Sequence, residues 1–444
     1  MKRSITLAAL LTLFLATSGE PAEPLFSDPE NYAVGDGPES VIAADLDGDG
    51  DADLAVVNGN SGYVSVLENN GDGAFATALT YEVGGMPRSI CSSDLDGDGD
   101  IDLAVANQFS GDVSILKNNG DGTFVDAVNY AGGGSVVSIS AADLDGDGDT
   151  DLAAANYYSS NVSILKNNGD GTFAAVLTYG TGYRPFSVGS SDFDGDGDVD
   201  LAVANEFSGD VSILKNNGDG TFVDAVNYAI GPVALAVCAS DFDADGDADL
   251  AVTDGFLNSV SVLRNNGDGT FVSSLNYPVG SIPRSVFASD LDGDADADLA
   301  VANLGSDNVS VLLNNGDGTF LPAMNYAAGD APKAVFASDL DGDGDNDLAV
   351  ANYDANTVSV LTNLTPSLQS PYRCRVRGDV NRNHSVDILD IDYFIEWLHR
   401  GGPAPVCLEE ADVDGNRQQD ILDIDYMVDW LFRGGPELVP CPKT

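Results

Sequence analysis

A period of 49 residues runs through most of this chain. The string DLDGDGDADLAV begins at Asp45, and its relatives begin at Asp94, Asp143, Asp192, Asp241, Asp290 and Asp339 without insertion or deletion. A second string, NNGDGTF or a close variant, keeps the same spacing from Asn69 through Asn118, Asn167, Asn216, Asn265 and Asn314. A unit this short buries its apolar face only against a neighbouring copy, so seven equal units argue for one stacked or closed object.

The pattern within a unit is that of strands. Ser89–Ser93, Asp102–Ala106, Asp112–Lys117 and Phe124–Tyr130 are apolar or alternating runs punctuated by Gly, Asn and Asp. Four strands in 49 residues is the size of a propeller blade. Phe26 and Tyr32 repeat the spacing of Phe75 and Tyr81, so the first unit begins with an outer strand that has no inner strands before it. The seventh unit ends after Val358–Leu361 without an outer strand of its own. Residues 25–32 are therefore expected to complete the last blade, which removes the free edge of a linear array. An open β-solenoid is the rival; its repeats are usually shorter and it needs no such offset.

Each unit carries an acidic loop with Asp at positions one, three, five, seven and nine. In the first unit these are Asp45, Asp47, Asp49, Asp51 and Asp53, with Gly50 at position six. The second and third loops place Asp94, Asp96, Asp98, Asp100 and Asp102, then Asp143, Asp145, Asp147, Asp149 and Asp151. The fourth and fifth hold Asp192, Asp194, Asp196, Asp198 and Asp200, then Asp241, Asp243, Asp245, Asp247 and Asp249. The last two hold Asp290, Asp292, Asp294, Asp296 and Asp298, then Asp339, Asp341, Asp343, Asp345 and Asp347. Alternating carboxylates on a tight turn converge oxygens on one point, and a hard all-oxygen set suits Ca²⁺ better than Mg²⁺ or Zn²⁺. Position seven is expected to offer its main-chain carbonyl. These loops hold 35 of the 72 acidic residues, a density that repels itself unless cations neutralise it. In the sixth loop Ala295 replaces the position-six Gly; a positive φ there costs Ala roughly 1 kcal/mol, so that site is expected to be the weakest. The NNGDGTF string reads as hairpin-turn chemistry, with a supplementary metal role as the alternative.

These residues resemble the FG-GAP/VCBS repeats of integrin-α-like propellers over about residues 25–365. The resemblance implies a seven-bladed all-β propeller with about seven Ca²⁺, each loop lying between the first and second strands of a blade. By that pattern Asp at positions one, three, five and nine and the carbonyl of position seven are the ligands. Tyr81, Gly84 and Pro87 look like the family's segment between blades; Val136 and Ala234 depart from it at the Pro position.

The loops after the second and fourth strands fall on the rim opposite the acidic loops. They carry Phe109, Tyr157, Tyr158, Phe207, Phe256 and Tyr353, and the basic residues Arg88, Arg184, Arg284 and Lys333. Aromatic surfaces with a few charged neighbours suit sugar rings. Packing between blades is the alternative reading of the same side chains.

After Thr365 the text changes. Residues 366–373 read as a Pro-marked linker and 374–444 as a duplicated loop–helix module. Its loops offer Asp379, Asn381, Asn383, Ser385 and Asp390, then Asp412, Asp414, Asn416, Gln418 and Asp423. Over about residues 374–441 they resemble type I dockerins, small all-α modules that hold two Ca²⁺ in EF-hand-like loops and dock onto cohesins. His384 and Arg417 stand where Gly is expected, and Ile388-Leu389 and Ile421-Leu422 where many dockerins carry small hydroxyl residues. A calcium-stabilised sorting or anchoring tag is the alternative. Of Cys374, Cys407 and Cys441, one pair is expected to bridge in an oxidising compartment, and Cys374–Cys441 would join the ends of the module. Cys91 and Cys238, at equivalent repeat positions, read as buried free thiols.

Residues 1–18 have the basic start, apolar run and small-residue exit of a secretory signal, followed by a short leader over 19–24. No later segment is apolar enough to cross a membrane. A net charge of −54 excludes nucleic acid as a natural partner. The two histidines, His384 and His399, both lie in the tail, so the repeats cannot assemble a Ser–His–Asp set. The expected function is a secreted or surface-associated, non-catalytic binding or adhesion module for glycans or an extracellular protein. A polysaccharide-processing component of a cohesin–dockerin assembly and a purely structural surface protein are the alternatives.

Overall fold

The structure is a computed structural model, and it describes residues 25–272 and 275–365. Its strands, β1 to β28 in chain order, form seven four-stranded antiparallel sheets. In the first, β2 (Pro38–Ala44), β3 (Asp53–Asn58), β4 (Tyr63–Leu67) and β5 (Leu79–Glu82) follow one another from the inside out. The chain then steps to the next blade, and the innermost strands recur as β6 (Pro87–Ser93), β10 (Val136–Ala142), β14 (Pro185–Ser191), β18 (Ala234–Ser240), β22 (Pro283–Ser289) and β26 (Pro332–Ser338). Each of these packs on its two neighbours, and β26 packs on β2, so the ring closes.

Closure uses the N-terminal strand. β1 (Glu30–Ala33) pairs with β28 (Thr357–Leu361) in the order β1-β28-β27-β26, where β27 spans Asp347–Asn352. Phe26 adds an isolated bridge to Asn363 and is 2% exposed. Tyr32 meets Phe75 edge to face at 5.3 Å, as Tyr81 meets Phe124. The last blade therefore joins the two ends of the propeller sequence in one sheet.

The core lies in the seams between blades. One cluster joins Val41, Leu54 and Val56 of the first blade to Ala349, Ala351 and Val358 of the last, and each other seam holds an equivalent set. The second strand of every blade is buried along its whole length, which is why it reads as a continuous apolar run.

One expectation about strands needs correction. The outermost strand of the second blade covers only Val128–Ala131, and Phe124 is held by an isolated bridge to Asn118. An outer strand pairs on one side alone, so the buried Phe and the four paired residues suffice and the segment between them leaves the ladder. Val136 and Ala234, at the Pro position, are both fully buried, but they differ in register. Val136 keeps the slip seen at Pro87, whereas the irregularity at Ala234 extends to Val237. Cys91 and Cys238 are free and half-buried rather than fully enclosed, and burial pushes both thiols up to about 12.

Candidate metal centres and ligand face

Each acidic loop joins the innermost strand of a blade to the next strand, and its conformation is set by its own carboxylates. In the first loop the Asp45 carboxylate accepts N–H bonds from Gly48 at 2.8 Å and Gly50 at 3.1 Å. Asp47 accepts from Asp49 at 3.1 Å, and Asp49 from Asp51 at 3.0 Å. Asp53 is fully buried and accepts from Leu46 at 2.9 Å and Asn69 at 2.7 Å.

This folding gathers positions one, three and nine. Carboxylate oxygens of Asp45, Asp47 and Asp53 lie within 4.8 Å of one another, as do those of Asp94, Asp96 and Asp102, of Asp143, Asp145 and Asp151, of Asp192, Asp194 and Asp200, and of Asp241, Asp243 and Asp249. Position seven points elsewhere: the Asp51 carboxylate lies against Gly71 of the neighbouring turn, where a Cβ would collide with it. The position-seven side chain is therefore not part of that cluster.

The donor set fits a hard divalent cation. In loops two to five one oxygen of the position-three aspartate (Asp96, Asp145, Asp194 and Asp243) is buried without a hydrogen-bond partner. Such an atom is costly unless something positive meets it. Burial pushes the carboxyls of Asp53, Asp102, Asp151, Asp200 and Asp249 up to about 6, although hydrogen bonds from the turn Asn and the position-two N–H pull them down. Asp298 and Asp347 are pushed to about 7. Clustered, buried carboxylates of this kind hold their protons more tightly than free ones, and a cation bound among them would favour the ionised form.

The loop glycines have their conformational reason. Gly50 at position six has φ +99°, and Ala295 takes φ +75° in the same place. Ala244 of the fifth loop, at position four, also has positive φ, +58°, so the loop demands a left-handed backbone at position four as well as at position six.

Two parts of the site escaped the sequence reading. The NNGDGTF segment forms a turn, as Asn119 N–H bonding to Thr123 at 2.9 Å shows, but its first Asn also reaches across the seam. Asn69, Asn118, Asn167, Asn216, Asn265 and Asn314 each donate to the position-two carbonyl of the preceding blade's loop, at 2.7 to 2.9 Å. A cation just before this Asn pairs with the position-three aspartate of its own blade: Lys117–Asp96 at 3.0 Å, Lys166–Asp145 at 3.1 Å, Lys215–Asp194 at 3.2 Å and Arg264–Asp243 at 3.3 Å. Blades one, six and seven have Glu68, Leu313 and Thr362 there.

On the opposite rim the predicted residues separate. Arg184, Tyr157, Tyr158 and Phe207 come together: the guanidinium carbon is 4.1 Å from the Phe207 ring centre, 5.1 Å from Tyr157 and 5.8 Å from Tyr158. Tyr183, which the sequence reading did not select, completes the group at 5.5 Å. Tyr157 donates to Glu206, and Arg184 Nε is buried without a partner. Phe109 and Phe256 are exposed on other blades, and Tyr353 is half-buried under the Lys333 ammonium. Arg88, Arg284 and Lys333 are not on the rim surface; they line the axial cavity. The tail ligands Asp379, Asn381, Asn383, Ser385, Asp390, Asp412, Asp414, Asn416, Gln418 and Asp423, the three tail cysteines and the leader lie outside the described residues.

Ring closure, four-stranded blades and one acidic loop per blade define a seven-bladed β-propeller with candidate metal sites in its repeats. The chain belongs to the FG-GAP-like repeat family, which matches residues 45–105, 94–154, 143–203, 192–252, 241–301 and 290–350 in overlapping pairs of units. No curated protein matches it. Among solved structures it is similar to BBS1N in complex with ARL6DN, with 14% identity over 78% of this chain and 99% of that one and a TM-score of 0.56. A second crystal of that complex, soaked with lead, gives the same TM-score of 0.56. An Agrocybe aegerita lectin, described for recognition of non-reducing terminal N-acetylglucosamine, is 24% identical over 65% of this chain and 80% of its own, with a TM-score of 0.49.

Proposed function

We propose that this propeller is a calcium-stabilised, non-catalytic binding module of an exported protein. In this reading it takes a glycan or extracellular protein on the rim opposite its acidic loops, and residues 374–441 serve as a dockerin-like docking tail. Aspartates at positions one, three, five and nine hold one Ca²⁺ per loop, and the bound ion supplies the charge compensation that a single Lys or Arg leaves incomplete in loops two to five and that loops one, six and seven lack. The observation that carries the ligand half is the group around Arg184. Tyr158, Tyr183 and Phe207 are 69%, 54% and 56% exposed around the Arg184 guanidinium, Tyr183 edge to face with Phe207 and Tyr158 with Tyr157. Rings fixed in this way present apolar faces to a sugar at little entropic cost. The absence of a catalytic role is supported by the sameness of the loop aspartates in every blade and by the placement of both histidines in the tail.

A glycan array probed with the calcium-loaded protein, alongside a Tyr158→Ala/Phe207→Ala double variant, tests this reading. Binding that the double variant loses at unchanged melting temperature is expected. Binding retained in full by that variant would remove the Arg184 group as the ligand surface, and release of new reducing ends from any bound polymer would make the protein an enzyme.

A further inference from the structure

The second residue of the innermost strand occupies one level of the axial channel in all seven blades. These residues change in size and charge around the ring: Glu39, Arg88, Val137, Phe186, Leu235, Arg284 and Lys333. The charged ones are adjacent, on blades six, seven, one and two, and the apolar ones face them from blades three to five. No other position of the innermost strand carries a charged residue, so this arc is the break in charge symmetry along the channel. It lies at the end of the strands away from the acidic loops.

The charges of the arc do not cancel. Glu39, with a side chain 4% exposed, accepts at 2.7 Å from Arg88 and at 2.8 Å from Lys333, both on the same oxygen. Arg284 makes no ion pair or hydrogen bond among the described residues; its guanidinium rests 4.4 Å from the centre of the Phe186 ring. Three cations and one carboxylate thus line a cavity of about 120 Å³, with Glu206 beyond the lining as the next carboxylate whose charge acts on Arg284, within a chain of net charge −54. Such an excess is expensive to bury unless an anion completes it.

We propose that this end of the axial channel is an oxyanion site, in which a carboxylate, sulfate or phosphate group sits between Arg284, Arg88 and Lys333. Arg284 supplies a free planar fork that matches two oxygens at once. Serine hydroxyls one position along supply neutral donors. The oxygen of Ser285 accepts from Val335 N–H at 3.4 Å and that of Ser89 from Ile139 N–H at 3.3 Å, which leaves their own hydrogens to donate. The field is visible in Lys333: burial, reinforced by Arg88 and Arg284 and opposed by Glu39, pulls its pKa down to about 8. The site adjoins the Arg184 group, since Phe186 meets Tyr157 edge to face at 6.2 Å. The anion is therefore either a free oxyanion or the acidic group of a sugar lying across that rim. The second alternative rests on the glycan reading; the first does not.

Calorimetric titration of the full chain, calcium-loaded and at fixed ionic strength, tests this with sodium sulfate, sodium glucuronate and methyl glucoside. Sulfate or glucuronate is expected to bind, and Arg284→Gln to weaken that binding about tenfold or more. Arg284→Lys, which keeps the charge and loses the fork, is expected to fall between the two and guards against a folding defect in the Gln variant. Equal affinities for sulfate and glucuronate, unchanged by Tyr158→Ala, identify a free-oxyanion site and leave it standing if the glycan reading fails. A preference for glucuronate that Tyr158→Ala abolishes assigns the anion to a sugar. Failure of both anions to bind, or wild-type affinity in both Arg284 variants, overturns the proposal.

Discussion

Asn167 donates from its side-chain nitrogen to the carbonyl oxygen of Leu95, 2.7 Å away and 72 residues earlier in the chain. The same nitrogen donates to Thr150 at 3.0 Å, and the amide oxygen accepts from Gly169 at 3.1 Å. Leu95 is the second residue of one blade's acidic loop and Thr150 the eighth of the next. One side chain therefore ties its own turn, its own loop and the preceding blade's loop together. Asn167→Ala leaves two carbonyls and an N–H unpaired in a buried place and is expected to cost about 3 kcal/mol. Asn168→Ala, which loses only exposed bonds to Thr172, is the control and is expected to be near neutral. Denaturant unfolding of both variants checks the difference.

Removal of divalent ions tests the loops as a set. Five aspartates per loop, with the innermost driven toward protonation by burial, describe a fold that divalent cations stabilise by binding it in preference to the unfolded chain. The melting temperature in chelator is expected to fall well below that in millimolar calcium, and magnesium at equal concentration is expected to restore less of it. Differential scanning calorimetry gives the answer; identical melting with and without chelator would dismiss the metal sites.

Ala295 isolates the cost of one backbone angle. At φ +75° it holds a conformation that Gly adopts freely, and nothing stands within 4 Å of a Cβ at the equivalent Gly50. The penalty is therefore conformational and not steric. Ala295→Gly is expected to stabilise the protein by about 1 kcal/mol and to tighten the weakest calcium step about fivefold. Ala244→Gly in the fifth loop should act in the same direction.

How far these features can be read from sequence follows from their range. The 49-residue period, the seven acidic loops and the N-terminal strand were legible because identical strings at identical spacing leave little choice of fold. Ala295 was legible because six glycines surround it in the alignment of units. Ala244 stands out in the same alignment, but its effect rests on position four also needing positive φ, which the structure supplies. The Asn167 bond joins residues 72 apart on different blades, a register that no local pattern encodes. Arg88, Arg284 and Lys333 share one repeat position with Glu39, so their ring was present in the numbering; Arg184, two residues before Phe186, which holds that position in its blade, belongs to the rim instead. What hid the ring was reading these cations as members of a face rather than as levels of a channel.

The cations beside the turns sort the acidic loops into two groups. Lys117 stands 3.0 Å from Asp96, a carboxylate of the second loop, and is 32% exposed, so solvent screens much of its field. A bound cation in that loop meets a positive charge that loops one, six and seven lack. Lys117→Gln is expected to tighten calcium in the second loop about threefold, with a small loss of stability from its bond to the Asp170 carbonyl at 2.6 Å. Competition titration against a chromophoric chelator measures the shift.

Lys333 makes the channel sensitive to pH. It faces the Glu39 carboxylate of β2, the Arg88 guanidinium of β6, the Arg284 guanidinium of β22 and, across the loop after β27, the Tyr353 ring at 3.2 Å. Burial and the two guanidinium groups lower its pKa from 10.5 to about 8. The folded protein therefore gives up this proton earlier than the unfolded chain. For this group stability rises with pH between about 8 and 10.5, and below 8 the cost of the buried charge is present in full. Oxyanion binding has the opposite sign, because the protonated ammonium is the form that attracts the anion. Neither sulfate nor glucuronate titrates near neutrality, so a change in their affinity between pH 7 and pH 9 reports the protein alone. Affinity is expected to fall severalfold over that interval as the third cation is lost. Lys333→Met is expected to bind weakly at both pH values and to abolish the slope. A slope that survives in Lys333→Met would place the titrating group elsewhere, and a flat profile in the unaltered protein would remove Lys333 from the site.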